Sequence, residues 1–350
     1  MNIYKLSILI IVILIKTGNV LSNESIFTVN NIEINKNSFK NNDELIELAF
    51  KAGFQKLNNK ILLEKDIVKL KDISLKNIKN LVSHYQIVKK KSENNKDLIL
   101  VNVFFKRNKM YDFYSKKNVR YSDVRGKNIK ILPILLVKKE TLIYENNFFY
   151  KNWINETSKS NKKNEIIEYI LPLENIEVIE QIKKNQDNLE SIQLNKIFDE
   201  NVEKDNLLII INYNAKLSKI FLTGSISTKK ITKNLSFSKN SEEEITYPEL
   251  MVFLKKQIKE IVKSQNVIDI NTPTFLNIKL ELKNKNDLFI FQEILNRIDL
   301  IDNFNVSEFN NKSAYIKIKY YGKTNIIKEK LSNQGMQLSL DNNELSARLK

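Results

Sequence analysis

Apolar and polar positions fall into three regimes along the chain. The first is a block at the start: residues 1–5 are short and basic, residues 6–15 are apolar at every position but Ser7, and residues 17–22 are mostly small and end in Val20-Leu21-Ser22. This layout predicts a secretory signal peptide cleaved after Ser22. This ten-residue segment falls short of the roughly 20 that span a bilayer. The expected product is a periplasmic chain with no membrane span.

Next come elements of period 2 and period 3.6 in alternation. Ile26, Val29, Ile32 and Ile34 predict a strand over 26–34. Asn41 and Glu44 have the spacing of a helix cap and its acidic third residue. Leu45, Leu48, Ala49, Ala52 and Leu57 then predict a helix over 43–61, and Ala49, Ala52 and Gly53 keep one side small enough to approach a sheet closely. A shorter helix over 72–81, strands over 83–91 and 98–106 and a helix over 108–117 complete an N-terminal α/β domain, residues 23–122.

Residues 123–128 read as a linker. The run 129–137 is almost continuously apolar and is broken by Pro133, the mark of a strand buried on both faces. An aromatic helix over 148–154, a strand over 165–173 and helices over 176–184 and 189–202 follow. Strands over 206–213, 217–225 and 229–237 precede a closing helix over 247–263, with Pro248 in its first turn. This alternation predicts a central α/β domain, residues 129–265.

Residues 266–274 read as a second linker. The third regime is a compact strand–helix–strand–strand–helix–strand order over 275–350. Asp287 and Thr324 are placed to cap its helices, Gly335 to end the second, and a last hairpin spans 336–349. The order predicts a ferredoxin-like domain, a plan that hosts many functions. The fold class expected is thus mixed α+β and α/β in three small domains. The Lys/Asn-rich stretches 89–97 and 158–164 read as mobile loops.

Composition narrows the chemistry. The chain has 350 residues, no cysteine, one histidine and a formal charge of +16. An exported chain without cysteine has no disulfides and no lipid-bearing cysteine after its leader, so packing alone must hold it. The basic charge suits an anionic partner. However, the lysines are scattered, arginine is confined to Arg107, Arg120, Arg125, Arg297 and Arg348, and lysine, asparagine and isoleucine rise together as AT-rich coding would raise them. Scattered lysine reads as a solvated face, so no nucleic-acid partner is expected and contact with anionic lipid is weak at most.

Candidate catalytic residues are few. His84 stands alone and reads as an ordinary strand histidine, and no Gly-x-Ser-x-Gly elbow accompanies it. Cysteine chemistry is excluded, and a histidine zinc site needs more than one histidine. The six glycines form no phosphate-cradling cluster. No catalytic residue, metal or cofactor is therefore assigned. The candidate partner surface is the aromatic group Phe148, Phe149 and Trp153, with packing against the strand 129–137 as its alternative.

Three stretches carry a resemblance: the helix ending Ala-Gly-Phe-Gln-Lys-Leu (52–57), the strand 129–135 with the segment 142–153 up to Trp153, and residues 288–340 with Tyr320-Tyr321-Gly322. With these the chain resembles a bacterial family of exported proteins known as domain of unknown function 2066, over most of its length. It departs in its lysine and asparagine load, and in Tyr144 where the family has a first tryptophan. The first segment is also similar to the N-terminal unit of a flagellar assembly protein, and the central one to the α/β domain of TolB-like translocation proteins. The resemblance implies interaction modules of the cell envelope. The function expected is non-enzymatic envelope assembly or upkeep through protein partners. The rivals are a carboxylate-based hydrolase of cell-wall or similar substrate and a basic protein docking on anionic membrane. Two convergent carboxylates in a cleft would mark the hydrolase, and a flat apolar patch the partner surface.

Overall fold

The computed structural model describes residues 25–35, 41–93, 96–124, 126–154, 166–199, 204–239, 243–341 and 344–350. The leader with its cleavage at Ser22 and the loop 158–164 lie outside them. The architecture is mixed α/β, and the described strands form four sheets. Contacts group the chain into two compact units, residues 25–28 with Pro273–Lys350, and Val29–Thr272. The segments read as N-terminal and central domains both lie in the larger unit.

The larger unit begins with β1 (Thr28–Asn35) and α1 (Asn42–Ile61), whose first turn is capped by Asn41 Oδ1 accepting from the Asp43 amide. The short α2 (Glu64–Ile67) and α3 (Leu75–Leu81) lead to β2 (Val82–Glu93), β3 (Lys96–Phe105) and α4 (Arg107–Lys116). The sheet order is β1-β3-β2. Gly53 lets α1 lie on it: a Cβ there would meet Ile32 Cδ1 at 2.9 Å and Val103 Cβ at 3.3 Å. Strands occupy most of 89–97, which read as a loop, because β2 and β3 pair out to Glu93 and Lys96.

Neither expected linker is unstructured throughout: Lys127 and Asn128 of the first open a strand, and the Asp123 amide donates to the Asn266 carbonyl of the second at 3.2 Å. Tyr121–Ser122 (β4) pairs with Val267–Ile268, and Leu62 bridges to Tyr121. Ser122 Oγ also donates to the Lys263 carbonyl at 2.9 Å. Two short segments that look polar or isolated in sequence are thus joined by ladder bonds.

The central sheet is built from β5 (Lys127–Val137), β6 (Glu140–Leu142), β7 (Ile167–Ile170), β8 (Asn206–Asn212), β9 (Leu217–Ile226) and β10 (Lys229–Ser238). Its order is β10-β9-β8-β5-β6, with β7 also on β5. β8 and β7 run parallel to β5, and β9 and β10 return antiparallel. Alternate residues feed two cores. Ile129, Ile131, Leu207 and Ile209 pack with α5 (Phe148–Asn152) and α7 (Tyr247–Gln265), whereas Leu132, Ile134, Leu208 and Ile210 pack with α6 (Ile176–Lys184). α7 starts with a full capping box between Thr246 and Glu249 and is followed by β11 (Val267–Ile268).

The helix read over 189–202 is absent from its described part. Residues Gln186–Ser191 and Leu194–Lys196 form 3₁₀ turns, with Asn188 at φ −146° and ψ 67°. Leu189, Ile192 and Ile197 have apolar spacing close to helical, but a 3₁₀ turn also brings i and i+3 together.

The smaller unit comprises β12 (Thr274–Glu281), α8 (Asp287–Arg297), β13 (Ile301–Phe309), β14 (Ser313–Tyr320), α9 (Thr324–Asn333), β15 (Met336–Asp341) and β16 (Glu344–Leu349). Its sheet order is β13-β14-β12-β16-β15, with β16 parallel to β12. Asp287 does not cap α8: its Oδ2 accepts from the Lys283 and Asn284 amides of the preceding turn. Thr324 likewise bonds the Tyr320 hydroxyl at 2.6 Å rather than its helix. Gly335, at φ +87°, closes α9 as its position demands. Ile26 and Phe27 are buried in this unit, and the Ile26 amide donates to Asp299 Oδ2 at 3.1 Å.

Candidate binding groove

Among the described residues, the second face of the central sheet is covered over β5 and β8 and left open over β9 and β10. α6 and the 3₁₀ turns pack on Leu132, Ile134, Leu208 and Ile210, and they end there. The same face of β9 and β10 carries the register pairs Phe221↔Asn234, Lys219↔Ser236 and Thr223↔Thr232. A groove of about 570 Å³ results, within the range of ligand sites. Leu136, Ile210 and Phe221 make an apolar floor, the turn Gln186–Glu190 makes one wall, and Asn234 and Ser236 of β10 make the other. Leu136 and Asn212 stand at the carboxyl ends of the parallel strands β5 and β8, where open α/β sheets seat ligands.

Local chemistry fixes β9 and β10 in place. Their hairpin turns through Ser227 (φ 50°) and Thr228 (φ 65°), the left-handed pair that a two-residue turn needs. Asp205 Oδ1 accepts from the Ser227 amide at 2.6 Å and steadies it. Gly224 lets β9 approach β8, because a Cβ there would stand 2.0 Å from the Asn206 carbonyl oxygen. β10 is the edge of the sheet.

The groove offers amides and hydroxyls above an apolar floor. Gln186, Asn188, Asn212 and Asn234 can each donate and accept. Its carboxylates, Asp187 and Glu190, come from one turn on one wall. The lining thus suits recognition of an extended, partly apolar ligand.

The residues singled out from sequence lie elsewhere. Phe149 and Trp153 are fully buried and Phe148 is half-buried, so the surface read there is core packing. The Trp153 ring meets Tyr169 edge-on at 5.7 Å, and Lys255 donates to the Trp153 carbonyl at 2.8 Å. Phe148 and Phe149 pack on Tyr247 at 5.2 and 5.6 Å. These aromatics bury because the five-residue helix shares one core with α7 and the β5–β8 face of the sheet. His84 is exposed on β2 and stacks on its neighbour Phe104 at 4.2 Å, with Ser83 Oγ 3.3 Å from Nδ1. Tyr144 is buried at φ 49°, and burial raises its hydroxyl above the ordinary tyrosine pKa.

Among the described residues, no group of three or more His, Asp or Glu side chains is placed to hold a metal ion. No helix among them is long and apolar enough to cross a membrane. The groove itself has no local sequence signal, since its lining comes from four strands and a turn across residues 136–236. The polar alternation along β10 was the one visible hint. Set against known proteins, the chain matches no family model and no curated protein.

Proposed function

We propose that the chain is an exported, periplasmic binding protein of the cell envelope, acting in assembly or upkeep through protein contacts rather than catalysis. The open groove beside an edge strand carries this reading. Its apolar floor gives burial, and its amide walls give specificity. The order β13-β14-β12 with α8 and α9 supports a ferredoxin-like plan, from which the unit departs at its end: β16 takes the place beside β12 and runs parallel to it, where that plan has an antiparallel strand. The alternating strands and helices around β5 and β8 support a TolB-like central domain. Membership of the domain of unknown function 2066 family rests on the sequence resemblance alone.

The test is affinity capture from intact, crosslinked cells, comparing the wild-type chain with Ser236→Trp. Ser236 is exposed on the groove wall, so a bulky ring there fills the groove without removing packing. An envelope protein captured by the wild type and lost with Ser236→Trp is the result this reading requires. A capture profile unchanged by the substitution contradicts it.

A further inference from the structure

The strand that makes one wall of the groove presents a second face beyond it. β10 is an edge strand of ten residues. On its groove side lie Lys230, Thr232, Asn234 and Ser236, and on the other side Leu235 and Phe237 are half-buried against the α7 core. Phe253 of α7 packs on Phe237 at 4.7 Å, and Val252 beside it is 60% exposed. An extended chain laid along β10 would therefore find the Phe221 floor on one side and an apolar shelf on the other. That is the arrangement in which strand addition works: ladder bonds supply affinity, and alternate side chains are read by pockets on both faces.

Charge selects the occupant. Lys229, Lys230 and Lys233 lie on β10 and Lys219 on β9, and none of the four makes an ion pair among the described residues. Lysines on an edge strand repel a second copy of the same edge. Like charge facing like charge disfavours self-pairing, whereas opposite charge favours a partner and speeds its arrival. The lysines disfavour another copy of this chain and favour an acidic strand whose carboxylates keep to the β10 edge, away from Asp187 and Glu190 on the opposite wall.

We propose that β10 accepts an extended segment of another protein as an added strand. That segment carries apolar side chains at alternate positions and carboxylates facing Lys229, Lys230 and Lys233. This deepens the groove reading and rests on it.

The experiment uses the full chain and a synthetic ten-residue peptide of alternating valine and threonine with glutamates at one end and at the centre, to face Lys229, Lys230 and Lys233, beside a twin with lysines. Affinity and amide hydrogen exchange are measured at low and high salt. The glutamate peptide should bind at least tenfold more tightly than its twin, lose that advantage in salt, and protect amides of β10. Joint replacement of Lys229, Lys230 and Lys233 by glutamate should reverse the preference. Equal binding of the two peptides, or binding that leaves the β10 amides unprotected, overturns the proposal. Unprotected β10 amides together with groove-dependent capture in cells would remove the added strand and leave the groove reading standing.

Discussion

Asn147 donates from Nδ2 to the carbonyl of Pro133 at 2.9 Å and to that of Leu142 at 3.2 Å, while its Oδ1 accepts from the Phe149 amide at 2.9 Å. This explains how a central strand holds a proline. β7 pairs with β5 over Lys127–Lys130 and β6 over Leu135–Val137, leaving Pro133 in the gap between them. A strand residue points its amide and carbonyl to the same side. Pro133 therefore lacks its N–H where no ladder bond could form, and its carbonyl is served by Asn147. Asn147→Leu should cost about 3 kcal/mol, since it removes a cap and leaves the Pro133 carbonyl without its partner. Pro133→Ala should cost well under half of that. Urea denaturation of both variants checks the contrast.

Lys263 is a buried cation. Its Nζ donates to the Leu62 carbonyl at 2.6 Å, the Asn59 carbonyl at 2.8 Å and Glu260 Oε1 at 3.0 Å. It thus neutralises the negative end of α1. Glu260 Oε2 accepts in turn from the Glu64 amide at 3.0 Å. Lys263→Met should destabilise the larger unit by about 3 kcal/mol, because it strands carbonyls and a carboxylate together. The double variant with Glu260→Gln should cost clearly less than the sum of the singles, as measured by thermal denaturation.

Ser227 and Thr228 both sit at positive φ, where side chains crowd the backbone at about 1 kcal/mol or more per residue. Replacing the pair by Asn-Gly should stabilise the protein by about 1–2 kcal/mol, since that dipeptide prefers this turn. The midpoint of chemical denaturation should rise. A fall would mean that Ser227 or Thr228 makes a contact the turn depends on.

Glu249 is held down to a pKa of about 2 by a hydrogen bond from Lys239, with help from the Thr246 amide and hydroxyl. A carboxylate depressed on folding contributes stability above its unfolded pKa of about 4.3 and loses it as pH falls toward the folded value. Stability should therefore decline between about pH 4.5 and 2 in part through this group. Glu249→Gln should be less stable at neutral pH and show a shallower decline over that window. Denaturation curves at a series of pH values measure both effects.

Much of the fold was legible because the strongest signals were local. The β5 run, the alternation of β9 and β10 and the capped α1 are set by period and end chemistry, and each forms where the pattern places it. What was not legible depends on partners far along the chain. Asn147 reads only as a cap, yet two of its three bonds go to carbonyls of β5 and to the end of β6. Lys263 looks like a solvated lysine near a helix end, and only the end of α1, some two hundred residues earlier, buries it. Phe149 and Trp153 could line a surface or a core by composition alone, and their packing with β5 and α7 decides for the core.

A photoreactive phenylalanine analogue placed at Asn234 tests the central claim most directly. Asn234 is exposed on the groove wall, and Asn277, exposed on β12 of the smaller unit, serves as the control position. After irradiation of intact cells, a discrete adduct to one envelope protein from position 234, and none from position 277, is the predicted result. No adduct from 234, or the same adducts from both positions, would contradict the assignment of this groove as the seat of a protein partner.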